Sequence, residues 1–170
     1  MTASRPLAAF AAELARLDAD ELPFLTQIDV RADRSAVAAL GFPGRPDTTS
    51  AWNDADVLWL GPDEWLVVAD AGREAELLRA LEAALGSNHH SILDVSAKRA
   101  VFELRGPDRR VRLATGCPLD LHPRSWGSGD CAQTVFGAAQ VLLHERSDVT
   151  RVFVRPSFAG YVIGLLDAPV

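Results

Sequence analysis

The pattern that most limits how this chain can fold is a hairpin followed by a helix, written twice. Val57-Leu58-Trp59-Leu60 and Trp65-Leu66-Val67-Val68-Ala69 are apolar runs divided by Gly61-Pro62-Asp63-Glu64. Two short apolar segments around a cluster of turn residues predict a β-hairpin. After Gly72, residues Leu77, Leu78, Leu81, Ala84 and Leu85 share one helical face, and Gly86 stands where a helix C-cap belongs. The plan returns near the C-terminus, where Val141-Leu142-Leu143 and Val152-Phe153-Val154 flank a polar turn centred on Ser147-Asp148. Ser157 then opens a helix with Phe158, Tyr161, Val162, Leu165 and Leu166 predicted inward. Asp63 and Asp148 occupy corresponding turns. Two such units predict an α+β fold built on mostly antiparallel sheet with packed helices, and two copies are too few for a solenoid.

The remaining elements fit around these units. Pro6, Leu7, Phe10, Leu14 and Leu17 recur at helical spacing, which predicts a helix entered at Pro6 and ending near Asp18 to Asp20. Residues 1–25 are accordingly expected to form an N-terminal helical arm, and residues 26–170 a single domain. Thr26 to Arg31 alternates like a strand, Ser35 to Leu40 is a short helix stopped by Gly41, and Phe42 to Asp56 has the composition of a long loop. Ile92 to Val95 and Arg99 to Leu104 are predicted strands. Gly106-Pro107-Asp108 supplies a cap, an N1 proline and an early acid for a helix through Ala114, which Gly116 ends. A polar loop follows, from Cys117 through His122 and Trp126 to Gly129, and then strands Cys131 to Phe136 and Ala139 to Leu143 turn around Gly137.

Composition narrows the function classes. At 170 residues and 48% hydrophobic the chain is long enough to bury a core. A net charge of -6 argues against a sequence-independent nucleic-acid binder, which needs a concentrated basic face. No apolar run approaches the ~20 residues that cross a bilayer, and the N-terminus carries acids too early for a signal peptide, so no membrane partner and a cytoplasmic location are expected. Cys117 and Cys131 form no C-x-x-C pair and are expected as buried free thiols, with no metal site.

Catalytic candidates fail on chemistry. A dinucleotide cradle needs G-x-G-x-x-G between strand and helix, and Gly127-Ser128-Gly129 has no helical pattern after it. The chain's single lysine, Lys98, follows no glycine-rich loop. Cys117 has His122 five residues on, but it follows a helix C-terminus, whose negative end disfavours a thiolate. His89-His90 lacks carboxylate or cysteine company at a ligand spacing and is expected in a solvated loop. Arg105, Arg109, Arg110 and Arg112 form the densest basic cluster. It is either a solvated face paired with Asp108 and Glu103, or a surface for an anionic cofactor or acidic partner. One or both of Trp59 and Trp65 are expected to pack in the core, whereas Trp126, in a Pro/Gly/Ser loop, either meets a partner or folds onto its own core. Trp126, Arg109 and Arg112 are the candidate partner contacts.

Several segments together resemble the gamma subunit of heterotetrameric sarcosine oxidase: Leu60-Gly61-Pro62-Asp63-Glu64-Trp65, the run LDVSAKRAVFELRGP from Leu93, Cys117-Pro118-Leu119-Asp120-Leu121 with Gly129-x-Cys131-Ala132-x-Thr134, and Arg155-x-Ser157-Phe158-Ala159. The resemblance runs from about Val57 to Ala168. It implies a fold similar to the folate-binding domain of the glycine cleavage T-protein and related aminomethyltransferases. It also implies a role as a companion without catalytic groups of its own, beside alpha, beta and delta subunits. In that family the complex demethylates sarcosine to glycine, with electrons passing through flavins to oxygen and the one-carbon unit captured on tetrahydrofolate. Flavins, NAD and tetrahydrofolate are thus expected on other subunits and no cofactor on this chain. The alternative is an independent small folate-binding or aminomethyltransferase-like protein. Aminomethyltransferases are about twice this size or more. The folate-binding proteins of iron–sulfur cluster assembly carry K-G-C-Y-x-G-Q-E, where this chain has Thr115-Gly116-Cys117-Pro118-Leu119-Asp120.

Overall fold

In the computed structural model, which describes residues 5–168, the predicted runs resolve into strands and helices in the following order. A 3₁₀ turn at Ala8–Phe10 leads into α1 (Ala11–Arg16), β1 (Ala19–Glu21), β2 (Thr26–Ala32), α2 (Arg34–Ala38), β3 (Thr49–Trp52), β4 (Ala55–Gly61), β5 (Glu64–Ala69) and α3 (Glu74–Leu85). Then come β6 (His90–Asp94), β7 (Ala100–Leu104), α4 (Arg109–Ala114), β8 (Cys131–Phe136), β9 (Ala139–Glu145), β10 (Thr150–Val154) and α5 (Pro156–Leu166). The chain divides into two compact units, one of Phe24–Ala97 and the other of the described residues in Met1–Pro23 and Lys98–Val170.

In the Phe24–Ala97 unit five strands pair antiparallel in the order β3-β4-β5-β2-β6. Strand alternation sends Ile28, Val30, Val57, Trp65 and Val67 to one face, where they bury against Leu77, Leu81 and Leu85 of α3. Each of those leucines is at most 1% exposed, so truncating one to alanine costs about 2–5 kcal/mol. The Trp65 indole N–H, buried with its ring, donates to the Pro43 carbonyl at 3.0 Å. The expected packing of Trp59 and Trp65 is what the structure shows, with Trp65 in this core and Trp59 partly buried against it.

The loop expected at Phe42 to Asp56 instead contains β3. Asn53 and Asp54 both take left-handed backbone (φ 50° and 56°), the geometry of a type I′ turn, and this folds β3 back onto β4. No apolar alternation announced the strand because it lies at the sheet edge with none of its residues fully buried. His90 likewise lies in β6 rather than in a loop.

In the other unit the antiparallel order is β1-β7-β10-β9-β8. Phe102, Leu104, Leu143, Val152 and Val154 meet Leu113 of α4 and Ala159, Val162, Ile163 and Leu166 of α5. The inward face of α5 differs from the predicted one, because Phe158 and Tyr161 are 42% and 46% exposed and the buried face runs through Ala159 and Ile163. The helix is apolar nearly all round, so hydrophobic period does not choose its face. Close approach does: the Phe10 ring lies so near Gly160 that an added Cβ would sit 2.7 Å from it.

The N-terminal segment belongs to this unit. Strand β1, which buries Ala19 and Glu21, pairs with β7, the Arg16 guanidinium meets Asp167 at 2.5 Å, and Glu21 accepts from Arg5 Nε and the Leu7 amide, each at 2.9 Å. Pro107 is not at N1 of α4, since Asp108 is the N-cap and Pro107 precedes it.

The two units share more than a hairpin and a helix. One runs β2-α2-β3-β4-β5-α3 and the other β7-α4-β8-β9-β10-α5, and their strands neighbour in the same order, β2-β5-β4-β3 and β7-β10-β9-β8. Each sheet takes its fifth strand on the same flank, β6 from after its helix and β1 from before its first strand. The echo visible in the sequence is the latter part of a β-α-β-β-β-α repeat, and the fold is α+β with antiparallel sheets.

Candidate functional site

Two of the three residues singled out as contacts, Trp126 and Arg109, gather around a carboxylate that sequence reasoning missed. Glu145 ends β9 with no solvent exposure. It receives the Arg109 Nη2 donor at 2.9 Å, Arg110 Nε and Nη2 at 3.1 and 2.7 Å, and the Trp126 indole N–H at 3.2 Å. The Thr150 hydroxyl donates to it from the first residue of β10. Burial alone would push the Glu145 pKa up, but the bonds from Thr150 and Arg110 and the charge of Arg109 outweigh it and hold the carboxyl below its ordinary range.

Local sequence explains how these groups reach one another. In the short helix α4, Arg109 and Arg110 sit on its first turn and reach across to the end of β9. The loop after α4 is threaded back by its own backbone: Gly129 N–H donates to the Glu145 carbonyl at 2.9 Å, and Glu145 N–H donates to the Asp130 carbonyl at 2.8 Å. Asp130 also accepts from the Gly127 amide at 2.8 Å, which closes the Gly127-Ser128-Gly129 stretch as a turn. No helix follows this turn, as the phosphate cradle would require. Glu145 therefore ties together α4, the Trp126 loop and the β9–β10 turn. The sequence Val141-Leu142-Leu143-His144-Glu145 ends on two polar residues and did not announce it; its burial, unbroken from Val141, emerges only once β9 is placed in its sheet.

The side chain of Trp126 points into the core, at 6% exposure among residues that include Leu113 and Leu121. Arg109 is mostly buried by its contact with Glu145, and Arg112 spends one guanidinium N–H on the Leu166 carbonyl at 3.1 Å. The basic cluster does not pair with Asp108 as expected. Arg109 and Arg110 take Glu145, while Arg105 takes Asp20 and Glu103 across β1 and β7, a choice made by sheet register rather than helical spacing.

The thiols are buried and free. Cys117 follows the end of α4, its sulfur 3.8 Å from the Thr134 hydroxyl. His122 turns to its own loop, where its Nδ1 accepts the Arg124 amide at 3.2 Å. The two therefore do not form a nucleophile–base pair. His90 does have a carboxylate companion, Glu82 at 3.0 Å, because α3 folds back over β6. Glu82 and the Asn88 carbonyl raise the His90 pKa. Among the described residues no group of three or more His, Cys, Asp or Glu could hold a metal, and no helix is long and apolar enough to cross a membrane.

The sarcosine oxidase gamma subunit family model matches residues 34–169. The sarcosine oxidase subunit gamma of Corynebacterium sp. (strain P-1) is 38% identical over 159 residues, 87% of this chain and 77% of that protein. The chain belongs to the sarcosine oxidase gamma subunit family. A further member, from Corynebacterium sp. (strain U-96), is 35% identical with the same coverage. Among solved structures, a chain of the heterotetrameric sarcosine oxidase from Corynebacterium sp. U-96 in complex with pyrrole 2-carboxylate superposes with a TM-score of 0.85 at 31% identity, covering 98% of this chain and 94% of that one. The glycine cleavage system aminomethyltransferase T from Bartonella henselae superposes with a TM-score of 0.66 at 14% identity, over 95% of this chain and 49% of that one. That likeness is one of fold, and it agrees with the aminomethyltransferase-like architecture expected from sequence.

Proposed function

We propose that the chain is the non-catalytic gamma subunit of a heterotetrameric sarcosine oxidase, a cytoplasmic complex whose alpha, beta and delta subunits carry the flavin, NAD and tetrahydrofolate sites. The observation that carries this reading is near full-length similarity to a chain of such a complex. The chemistry of the chain supports it. The thiols are packed away, and the buried Glu145 carboxylate is engaged by five donors from α4, Trp126 and Thr150. A carboxylate so engaged is held ionised by its own fold and acts as a structural anchor.

The direct test is oxygen consumption with sarcosine. The purified chain alone is expected to be inert, and the assembly obtained by co-expression with the other subunits is expected to turn over. Sarcosine-dependent oxygen uptake by the isolated chain would overturn the non-catalytic reading.

A further inference from the structure

One face of the β1-β7-β10-β9-β8 sheet buries Ala100, Val141, Val152 and Val154 against α4 and α5. Strand alternation sends the residues between them to the opposite face. The register pairs Ala100 with Val154 and Val154 with Val141, and Val135 with Gln140, so the next row outward aligns Arg99, Arg155, Gln140 and Val135 across four neighbouring strands. Adjacent strands lie about 4.8 Å apart, which brings Arg99 and Arg155 side by side. Lys98 precedes them, and together these residues line an open groove of about 400 Å³ with Gln133 beside it and Phe153 at its floor.

The groove's lining holds three cations and no carboxylate, although the chain carries net charge -6 and a single lysine. Like charges on neighbouring strands repel, and an anion between them relieves that repulsion. The two glutamine amides offer neutral donors at the same rim, suited to the outer oxygens of a carboxylate. At roughly 30 Å³ per non-hydrogen atom, the space holds on the order of a dozen such atoms. That fits a small molecule bearing two or three carboxylates. Four segments of the chain supply the groove: the turn into β7, strand β8, strand β9, and Phe153 with Arg155 where β10 gives way to α5.

We propose that this groove is a binding site for a small organic polycarboxylate, held by Lys98, Arg99 and Arg155. It shares no residue with the Glu145 cluster.

Titration calorimetry of the full chain with citrate tests it, with the neutral triethyl ester as control. Saturable binding with a Kd on the order of 0.1 mM is expected, weakened about tenfold in the Lys98→Gln/Arg155→Gln double variant and by raised salt, and absent for the ester. Lys98 and Arg155 are exposed, so thermal unfolding of the double variant should match the parent, and Arg155→Lys, which keeps the charge, should bind nearly as well. No saturable heat up to about 10 mM citrate, equal binding by the double variant, or equal binding of the ester would overturn the proposal.

Discussion

Replacing Glu145 with glutamine removes one charge at constant shape from the point where α4, the Trp126 loop and the β9–β10 turn meet. The carboxylate accepts from Arg109, Arg110, Trp126 and Thr150 with no solvent exposure. A glutamine keeps one acceptor oxygen and turns an amide N–H₂ toward donors, so about half of the bonds lose their acceptor. Charge-assisted bonds contribute ~1.5–3 kcal/mol each, but the guanidiniums of Arg109 and Arg110, 13% and 21% exposed, recover part of this by hydration. The expected loss is about 3 kcal/mol, the lower end of the range for stripping one partner from a buried ion pair. For a chain of this length that lowers Tm by about 6–12 °C. Urea unfolding followed by circular dichroism gives the free energy, and Trp126 fluorescence reports the local transition, since the other three tryptophans lie in the Phe24–Ala97 unit.

The pH dependence adds a second readout. The Glu145 pKa is lowered on folding, so its contribution is present above the unfolded value of ~4.3 and disappears as pH falls through the folded value. Glu145→Gln should therefore flatten the acid limb of the stability curve while lowering its neutral plateau. A loss below ~0.5 kcal/mol with the acid limb unchanged would refute the reasoning, because it would mean the cluster contributes no more than an exposed pair.

Gly160→Ala places a methyl against the Phe10 ring and should cost about 1–3 kcal/mol by overpacking, measured by urea denaturation, and Phe10→Ala in the same chain should relieve part of it. Cys117→Ser should leave sarcosine turnover of the co-expressed assembly unchanged, since the thiol faces the core beside Thr134 and has no base; a large fall in kcat would reinstate it as a reacting group. The His90 pKa is raised by Glu82 and the Asn88 carbonyl, so the stability it adds is present below ~6.5 and lost as pH rises through its folded value. Glu82→Gln should shift the His90 titration down in ¹H–¹⁵N spectra, and an unmoved titration would show that the pair does not form in solution.

Much of the fold was written in local pattern. The β4–β5 hairpin announced itself by apolar runs around Gly61-Pro62, and α3 by leucines at helical spacing with Gly86 after them, because one face of each had to be buried. The edge strand β3 and the inward face of α5 were hidden, the first because none of its residues is fully buried and the second because a helix apolar on most sides carries little phase information. The site was less legible. Trp126 and Glu145 lie 19 positions apart, and Arg110 and Glu145 35, so no spacing rule connects them and only the fold brings donors to the carboxylate. For the same reason the choice at Trp126 between partner contact and core could not be made from its loop composition, whereas the structure buries its ring.

Native mass spectrometry after co-expression with the other sarcosine oxidase subunits, purified gently at low salt, addresses the central claim most directly. The 18.3 kDa chain is expected in a single stoichiometric assembly with the three other subunits. Its recovery as a free monomer, with the other subunits assembled without it, would contradict the account.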